Sequence, residues 1–196
     1  MKRLLRYHNT LEENLGKHLR NLDERGETVD PHHAWRWPIQ IAEGLAYIHS
    51  RGVLQADVGC HNVLLNSDED TKICDFVGSS IDGEEPLIRY KRRYQLYTEN
   101  ENDQVTVETE VFAFGCTLYA VWTKKDPYEE LDEEEVGENY LNARFPDLRN
   151  LPTAEVIAKC WNRDYSTMQL ALDDFKRLHT MWERQQTRCR YTAFPT

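Results

Sequence analysis

Three residues with oxygen-bearing side chains, Asp57, Asn62 and Asp75, are the part of this sequence best suited to chemistry. Asp57 and Asn62 are five residues apart on a predicted loop, and two short apolar segments lead from Asn62 to Asp75. If those segments form a hairpin, the three side chains can converge. Magnesium prefers oxygen ligands and retains bound phosphates. The trio therefore suits a reaction in which a hydroxyl is deprotonated beside a hard cation, as in phosphoryl transfer.

Each of these residues also has a purely structural interpretation. Asp57 alone is compatible with capping a turn, and Asp75 with an ordinary turn after a strand. The spacing D-x-x-x-x-N carries no weight by itself. We interpret His61 as a loop side chain and not as a metal ligand, since no H-E-x-x-H motif occurs. The order of the surrounding segments has to decide between these interpretations.

The residues before the trio predict a helix that covers a core. Asp30 and Pro31 are the types found at an N-cap and at the first helical position. The apolar residues that follow are spaced by four, four and three, which places them on one helix face ending near 50–52. These apolar residues are Trp37, Ile41, Leu45 and Ile48.

Short apolar runs and turn residues predict small strands around the trio. The runs at 63–65 and 71–74 are separated by a turn-rich segment, so they are expected to form a hairpin. Residues 79–107 are polar and without a clear period, which indicates a long loop. The run at 111–122 is apolar nearly all round, as in a helix at the middle of a domain. Two further elements are predicted in the first part of the chain: a short helix over Leu11–Leu22 and a strand at Val53–Leu54. In the last part, the acidic segment Glu129–Glu135 is expected to be solvated, and a helix is expected after Pro152 through Trp161. A capping box at Ser166–Gln169 predicts a final helix that runs through Trp182.

Composition limits the class of protein. The chain has 196 residues, 40% of them hydrophobic, which predicts one domain. A formal net charge of −10 argues against nucleic acid as a partner. The five cysteines form no C-x-x-C pair and are expected to be reduced thiols. No apolar run is long enough to span a bilayer, so we expect no contact with a membrane. The start of the chain turns polar too soon for a signal peptide, so we expect an intracellular, cytoplasmic location.

Residues 53–65 and 75–78 resemble the catalytic loop and the start of the activation segment of eukaryotic-type protein kinases. The preceding helix is similar to helix E of that family. Downstream, 109–115 resembles the S-D-V-W-S-F-G at the start of helix F, and 124–128 resembles the G-x-x-P-[FY] that follows it. The pair Cys160-Trp161 is similar to one common in the helix H region of tyrosine-kinase-like members. In overall texture the chain resembles the divergent fungal kinase-like proteins.

The resemblance implies a fold and a set of roles. The fold is mainly α (α+β): a kinase-like C-terminal lobe, a helical bundle with small β-hairpins that carry the catalytic loop, without the N-terminal β-lobe. Asp57 would be the catalytic base, Asn62 and Asp75 the magnesium ligands, and Leu64 would pack beneath the adenine ring. The implied cofactors are ATP and Mg2+, and the implied partners are a protein substrate or partner proteins.

The same resemblance divides the chain, as one partial kinase domain over 1–196, into six parts. They are the hinge and helix D region (1–30), helix E (31–52), the catalytic loop to D-F-V-G (53–78), the activation segment (79–107), helices F to I (108–186) and a tail (187–196).

Several departures from the family pattern bear on activity. The nine glycines contain no G-x-G, and no V-A-I-K lysine is found. Gln55-Ala56 replaces His-Arg, which removes the usual partner of an activation-segment phosphate. Gly59 stands where serine/threonine kinases place a lysine, and Val77 replaces the glycine of D-F-G, although Phe76 can still pack. No A-P-E is present and Glu110 replaces an aspartate, which puts a peptide-docking platform in doubt.

Two functions from different classes follow. The first is phosphoryl transfer from ATP to a protein hydroxyl, serine/threonine or tyrosine, impaired in this chain because the N-terminal lobe is absent. The second is a catalytically inactive pseudokinase or scaffold fragment that acts by binding proteins. An unrelated helical protein with a chance D-x-x-x-x-N is disfavoured by the several matching segments in order. We also expect any active form not to depend on phosphorylation of Tyr90, Tyr94 or Tyr97.

Overall fold

The computed structural model describes residues 11–88, 90–98 and 104–192. The predicted parts that fall on 1–10, 89, 99–103 and 193–196 lie outside the described residues. The described residues form a mainly helical structure with short strands. The helices are α1 (Leu15–Glu24), α2 (Pro31–His49), α3 (Val107–Thr123), α4 (Glu133–Leu141), α5 (Ala154–Trp161) and α6 (Met168–Thr192), and the strands are β1 (Leu11–Asn14), β2 (Val53–Leu54), β3 (Val63–Asn66), β4 (Thr71–Ile73) and β5 (Ser80–Ile81).

The helix α2 forms as the sequence predicts. The Asp30 side chain accepts a hydrogen bond of 2.8 Å from the backbone N–H of His32, and Pro31 occupies the first turn. The face bearing Trp37, Ile41 and Leu45 is buried. This face lies against the β3–β4 hairpin and the core helices, so α2 supports the loop that follows it.

The helix α3 runs through the middle of the core. Thr106 caps it, and the side chains of Thr106 and Thr109 each bond the other's backbone N–H. Phe112 and Phe114 are fully buried. At Gly115 a side chain would have its Cβ 2.7 Å from Cβ of Cys160, so the glycine permits the close approach of α5. The prediction of a buried central helix is confirmed.

The strands β3 and β4 pair antiparallel as the predicted hairpin, with Val63 opposite Ile73. The prediction of a helix from Leu11 is wrong for its first four residues, which form β1 and pair with β3. Asn14 explains the boundary: its side chain accepts a bond of 2.8 Å from Lys17 N, and an N-cap residue must have extended backbone. The helix α1 therefore cannot begin before Leu15.

The segment 79–107 contains little regular structure in its described part. Ser80–Ile81 pairs with β2, and Arg92–Tyr94 forms a short 3-10 turn. The acidic segment 129–135 divides: Asp132 caps α4, and Glu133–Glu135 form its first turn.

The last helix begins one residue later than a capping box at Ser166 predicts. Thr167 Oγ1 accepts a bond of 3.3 Å from Leu170 N, so Thr167 is the cap. This register buries Met168, Leu172 and Phe175. The ring centroid of Phe175 lies 5.1 Å from that of Trp35 on α2. The helix continues to Thr192, past the predicted boundary at 186.

Candidate active site

The loop from Gln55 to Asn62 connects β2 to β3 and ends in a 3-10 turn at Cys60–Asn62. Ala56 is fully buried and has a left-handed φ of 71°. A non-glycine residue keeps that conformation where its surroundings hold it. The Ala56 N–H donates a bond of 2.7 Å to Oε1 of Glu110, which fixes the backbone immediately before Asp57.

Glu110, at the start of α3, joins three parts of the site. Its Oε2 lies 2.6 Å from Nε2 of His49, at the end of α2, and its Oε1 also accepts a bond of 3.4 Å from the Tyr90 hydroxyl. Its side chain has no exposed surface. A buried carboxylate is tolerated where hydrogen bonds replace water. The glutamate, a departure from the family aspartate, therefore holds the loop directly.

Gln55 joins the two aspartates through its side chain. Its Oε1 accepts a bond of 2.7 Å from Asp57 N, and its Nε2 donates to the carbonyl oxygen of Asp75 at 3.0 Å. The amide suits this position because it carries both an acceptor and donors. The sequence singled out Gln55 only as a replaced histidine; the signal available was a polar side chain inside an apolar segment.

Asn62 binds the loop around Asp57. Its Nδ2 donates bonds of 2.9 Å to the backbone carbonyl and of 2.9 Å to Oδ2 of Asp57. His61 Nε2 lies 2.9 Å from the same Oδ2. The other oxygen, Asp57 Oδ1, is enclosed and has no hydrogen-bond partner among the described residues. Such unpartnered buried atoms are uncommon in folded proteins, which singles out this oxygen within the loop.

Asp75 is brought to the same region by the hairpin. The N–H of Cys74 donates a bond of 2.9 Å to the carbonyl of Asn62, so the two ends of the hairpin are tied together. Asp75 has a left-handed φ of 55° and is exposed. This bond and the Gln55 bridge therefore hold the backbones of Asp57, Asn62 and Asp75 close to one another.

Leu64, on β3, and Phe76, after β4, are both partly exposed. Leu64 is half-buried on β3, opposite Lys72 on one side and Asn14 on the other. Phe76 remains 43% exposed and lines a surface groove with Tyr47 and other residues of α2 and β4. The adenine contact of Leu64 stays a prediction.

The segment after the D-F-V-G residues is anchored to the loop before α4. Tyr94 OH donates a bond of 2.6 Å to Asp126, and the Arg93 guanidinium donates to the carbonyls of Tyr128 and Leu131. Burial raises the pKa of the Tyr94 hydroxyl well above its ordinary value, and it does the same for the pKa of Tyr90. Both hydroxyls are therefore packed as neutral groups.

The donor atoms fit a hard cation better than a soft one. The described residues contain no group of three or more His, Cys, Asp or Glu side chains placed to hold a metal. Asn62 uses its Nδ2 on Asp57, which leaves the amide oxygen as its metal-binding atom. That oxygen and the Asp75 carboxylate are ligands of the type that Mg2+ takes alongside phosphates.

The four cysteines whose side chains the structure describes form no disulfide and no soft-metal site. Cys60, Cys74, Cys116 and Cys160 are free, and three of them are buried. Burial raises the pKa of the Cys116 thiol to about 12.

Within the described chain, no helix is both long and apolar enough to cross a bilayer.

A helical lobe in which a short hairpin joins a D-x-x-x-x-N loop to a D-F segment defines the protein kinase class. Comparison with known families agrees, because the model described as "Protein kinase domain" matches residues 6–193. The chain belongs to the protein kinase domain family.

Individual relatives are distant. A Drosophila melanogaster protein whose name likens it to mitogen-activated protein kinase kinase kinase 7 is 32% identical over 144 residues, which are 71% of this chain and 36% of that protein. The serine/threonine-protein kinase PLK4 of Nematostella vectensis is 30% identical over 58% of this chain and 12% of its own length. The tyrosine-protein kinase FRK of Homo sapiens is 26% identical over 69% of this chain and 30% of its own length. The chain thus spans little more than a third, or less, of these relatives, and its likeness to fungal proteins stays a prediction.

Proposed function

We propose that this chain is the helical, substrate-side part of a protein kinase that transfers the γ-phosphoryl group of ATP to a hydroxyl of a protein. The observation that supports it is the Gln55 bridge: one buried side chain bonds Asp57 N at 2.7 Å and the Asp75 carbonyl at 3.0 Å. A structural turn would need no such link. Relatives named as serine/threonine and as tyrosine kinases leave the acceptor hydroxyl open between these types.

In this proposal each site residue has a role that its position allows. Asp57 orients the acceptor hydroxyl and takes its proton, a role supported by the partial exposure of its side chain, 18%. Asn62 and Asp75 offer the oxygens that would hold Mg2+, which would neutralise charge on the phosphates when bound. Leu64, half-buried on β3, would contact the adenine ring.

The rate of this reaction by the 196 residues alone is expected to be low. They contain neither a G-x-G loop to cover the phosphates nor a V-A-I-K lysine. Phosphoryl transfer depends mostly on positioning and on stabilisation of charge, so each missing contact lowers the rate. Because ATP and reduced thiols are characteristic of the cell interior, we place this function in the cytoplasm.

A second candidate is a pseudokinase that acts by binding proteins. The exposed apolar side chains Tyr47, Phe76 and Val77 lie close to the candidate site and favour it. Ala56 also leaves no arginine to receive an activation-segment phosphate. Under this alternative the hairpin and the groove beside it would serve as a contact surface.

The experiment is thermal unfolding of the purified chain with ATP and MgCl2, compared with ATP and EDTA. The proposal predicts a rise in Tm that requires both ATP and magnesium and is lost in Asp75→Asn. Asp68→Asn, on the turn of the same hairpin, is the matched control and should retain the rise. Phosphate transfer from labelled ATP to a mixed library of Ser, Thr and Tyr peptides then tests turnover.

The outcomes separate the two functions. A magnesium-dependent rise abolished by Asp75→Asn, together with transfer abolished by Asp57→Asn, supports the kinase. If neither the wild type nor any variant shows a rise in Tm or transfers phosphate, the kinase proposal is contradicted and the protein-binding alternative is favoured.

A further inference from the structure

The imidazole of His61 folds back onto the carboxylate of Asp57. Its Nε2 lies 2.9 Å from Oδ2 of Asp57, and the two side chains are 22% and 18% exposed. Asn62 Nδ2 donates to the same oxygen at 2.9 Å. Two neighbouring residues therefore hold one oxygen of the candidate base, which makes His61 more than the loop side chain that the sequence suggested.

Gly59 provides the space for this ring. A Cβ at position 59 would lie 2.6 Å from Cε1 and 2.7 Å from Nδ1 of His61, closer than a Cβ approaches non-bonded atoms in folded proteins. The φ of Gly59 is 174°, an extended conformation that any residue adopts. The glycine is therefore required for room and not for backbone freedom. A side chain at position 59 and the observed position of His61 exclude one another.

Tyr94 contacts another side of the His61 ring. Its own ring meets His61 edge-on, with centroids 6.1 Å apart and planes at 77°. The Tyr94 hydroxyl is fixed by its bond of 2.6 Å to Asp126. The imidazole is thus held between Asp57, Gly59 and an anchored tyrosine, so its orientation is set by packing as well as by hydrogen bonding.

The chemistry of the pair fixes which nitrogen carries the proton. An ionised carboxylate only accepts hydrogen bonds, so Nε2 must be the donor. Nδ1 then carries the lone pair of the neutral ring, and it has no hydrogen-bond partner among the described residues. A hydrogen bond to a charged group is among the stronger ones in proteins and restrains the rotation of the carboxylate.

We propose that His61 is a positioning residue for Asp57, and that Gly59 is present because the His61 ring needs its space. The donor on Oδ2 holds the Asp57 carboxylate in one orientation toward the acceptor hydroxyl. The catalytic consequence rests on the proposed function, whereas the contact itself does not.

The first test is the protonation pattern of His61 in solution, read from the 15N shifts of its ring nitrogens by NMR and assigned with His61→Gln. The neutral ring is expected to be protonated at Nε2. Asp57→Ala removes the partner and Gly59→Ala displaces the ring, so each should abolish this preference. Gly16→Ala is the control, because its added Cβ would meet the same loop at an ordinary 3.5 Å. The His49 signal reports whether the fold is intact.

The second test is kinetic. His61→Phe fills the space but cannot donate, and is expected to lower kcat for peptide phosphorylation about tenfold, the effect of one lost hydrogen bond to a charged group. The KM for ATP should stay within about twofold, because His61 is not placed to bind nucleotide. His61→Gln, which can still donate to Asp57, should recover part of the loss.

The outcomes distinguish this proposal from the proposed function. A ring protonated at Nδ1, or a pattern unaffected by Asp57→Ala and Gly59→Ala, overturns the positioning role, as does an active chain in which His61→Phe keeps full kcat. If the NMR pattern responds as expected but no protein, wild type included, transfers phosphate, the kinase function fails and the contact stands.

Discussion

The backbone N–H of Ala56 donates a hydrogen bond of 2.7 Å to Oε1 of Glu110, a buried residue 54 positions later in the chain. This bond crosses from the loop between β2 and β3 to the central helix α3. It holds Ala56 in a left-handed conformation that alanine otherwise avoids. The orientation of Asp57, the next residue, therefore depends on a side chain outside the loop.

Glu110→Ala should destabilise the fold by about 3 kcal/mol, because it leaves the Ala56 N–H and His49 buried without a partner. Glu110→Gln keeps an oxygen for Ala56 and should cost less. The measurement is urea unfolding at pH 7. Glu108→Ala is the control: it removes only the exposed pair with Arg163 and should cost below about 1 kcal/mol. Equal losses in the Glu108 and Glu110 variants would contradict the central role of this carboxylate.

Gly115→Ala should lower the free energy of unfolding by about 1–3 kcal/mol, as overpacking does in cores. The added Cβ would lie 2.7 Å from Cβ of Cys160 and 3.1 Å from Cδ1 of Trp161, so α3 and α5 must separate. In Gly16→Ala the nearest atoms are at 3.5 Å, and alanine favours the helix, so no loss is expected. Urea unfolding of both variants tests the contact; an unchanged midpoint for Gly115→Ala would show that the helices are farther apart.

The elements that the sequence predicted correctly are those with a strong local signal. The helix α2 has a cap, a proline and a regular apolar face, and α3 is apolar throughout, so neither depends on distant partners to be recognised. The β3–β4 hairpin follows from two apolar runs around a turn. The positions of Asp57, Asn62 and Asp75 around that hairpin could therefore be anticipated, although their roles remain proposals.

The features that the sequence did not reveal are set by contacts between distant residues. The strand β1 exists because β3 offers an edge, which no local pattern in residues 11–14 indicates. The bridging role of Gln55 requires knowing that the chain returns at Asp75. His61 shows the same limit, since its position depends on the space above Gly59. Side-chain geometry of this kind cannot be read from residue type alone.

Tyr90 and Tyr94 should resist modification in the folded chain, because both rings are buried and both hydroxyls are hydrogen-bonded. A broad-specificity tyrosine kinase added with ATP should label neither residue under native conditions, and should label both in peptides of the same sequence. Mass spectrometry of the digested protein measures the difference. Activity that rose sharply after phosphorylation of either residue would overturn the expectation that activation-segment phosphorylation is not required.

The stability of the fold should depend on pH through Asp174. Hydrogen bonds from Lys159, and then from Tyr165 and Arg177, lower the pKa of this carboxyl to about 2 from its ordinary value of 3.8. A lowered pKa in the folded state stabilises the fold above the unfolded value and loses that contribution as the pH falls from about 4 toward 2. Asp174→Asn should therefore lower the urea midpoint at pH 7, and its difference from wild type should shrink below pH 4.

Asp147→Asn is the control for this pH dependence. The pKa of Asp147 is also lowered to about 2, by Arg149 two residues away, but the pair is exposed and local, so it can form in the unfolded chain as well. Its substitution should leave the midpoint nearly unchanged at every pH. A similar drop of the urea midpoint in Asp174→Asn and Asp147→Asn would show that the hydrogen bonds of Asp174 add nothing to the fold beyond surface charge.

Gln55→Leu should uncouple the two aspartates without removing either. Leucine fills a similar volume but cannot bond Asp57 N or the Asp75 carbonyl, both of which Gln55 holds in the native site. We expect the magnesium-dependent rise in Tm with ATP to fall by at least half, because the Asp75 backbone loses its bond to the loop that carries Asp57. Gln55→His, which restores the family residue and a ring donor, should keep more of the rise than leucine does. If Gln55→Leu binds MgATP as well as wild type, the hairpin alone positions Asp75 and the bridge is dispensable.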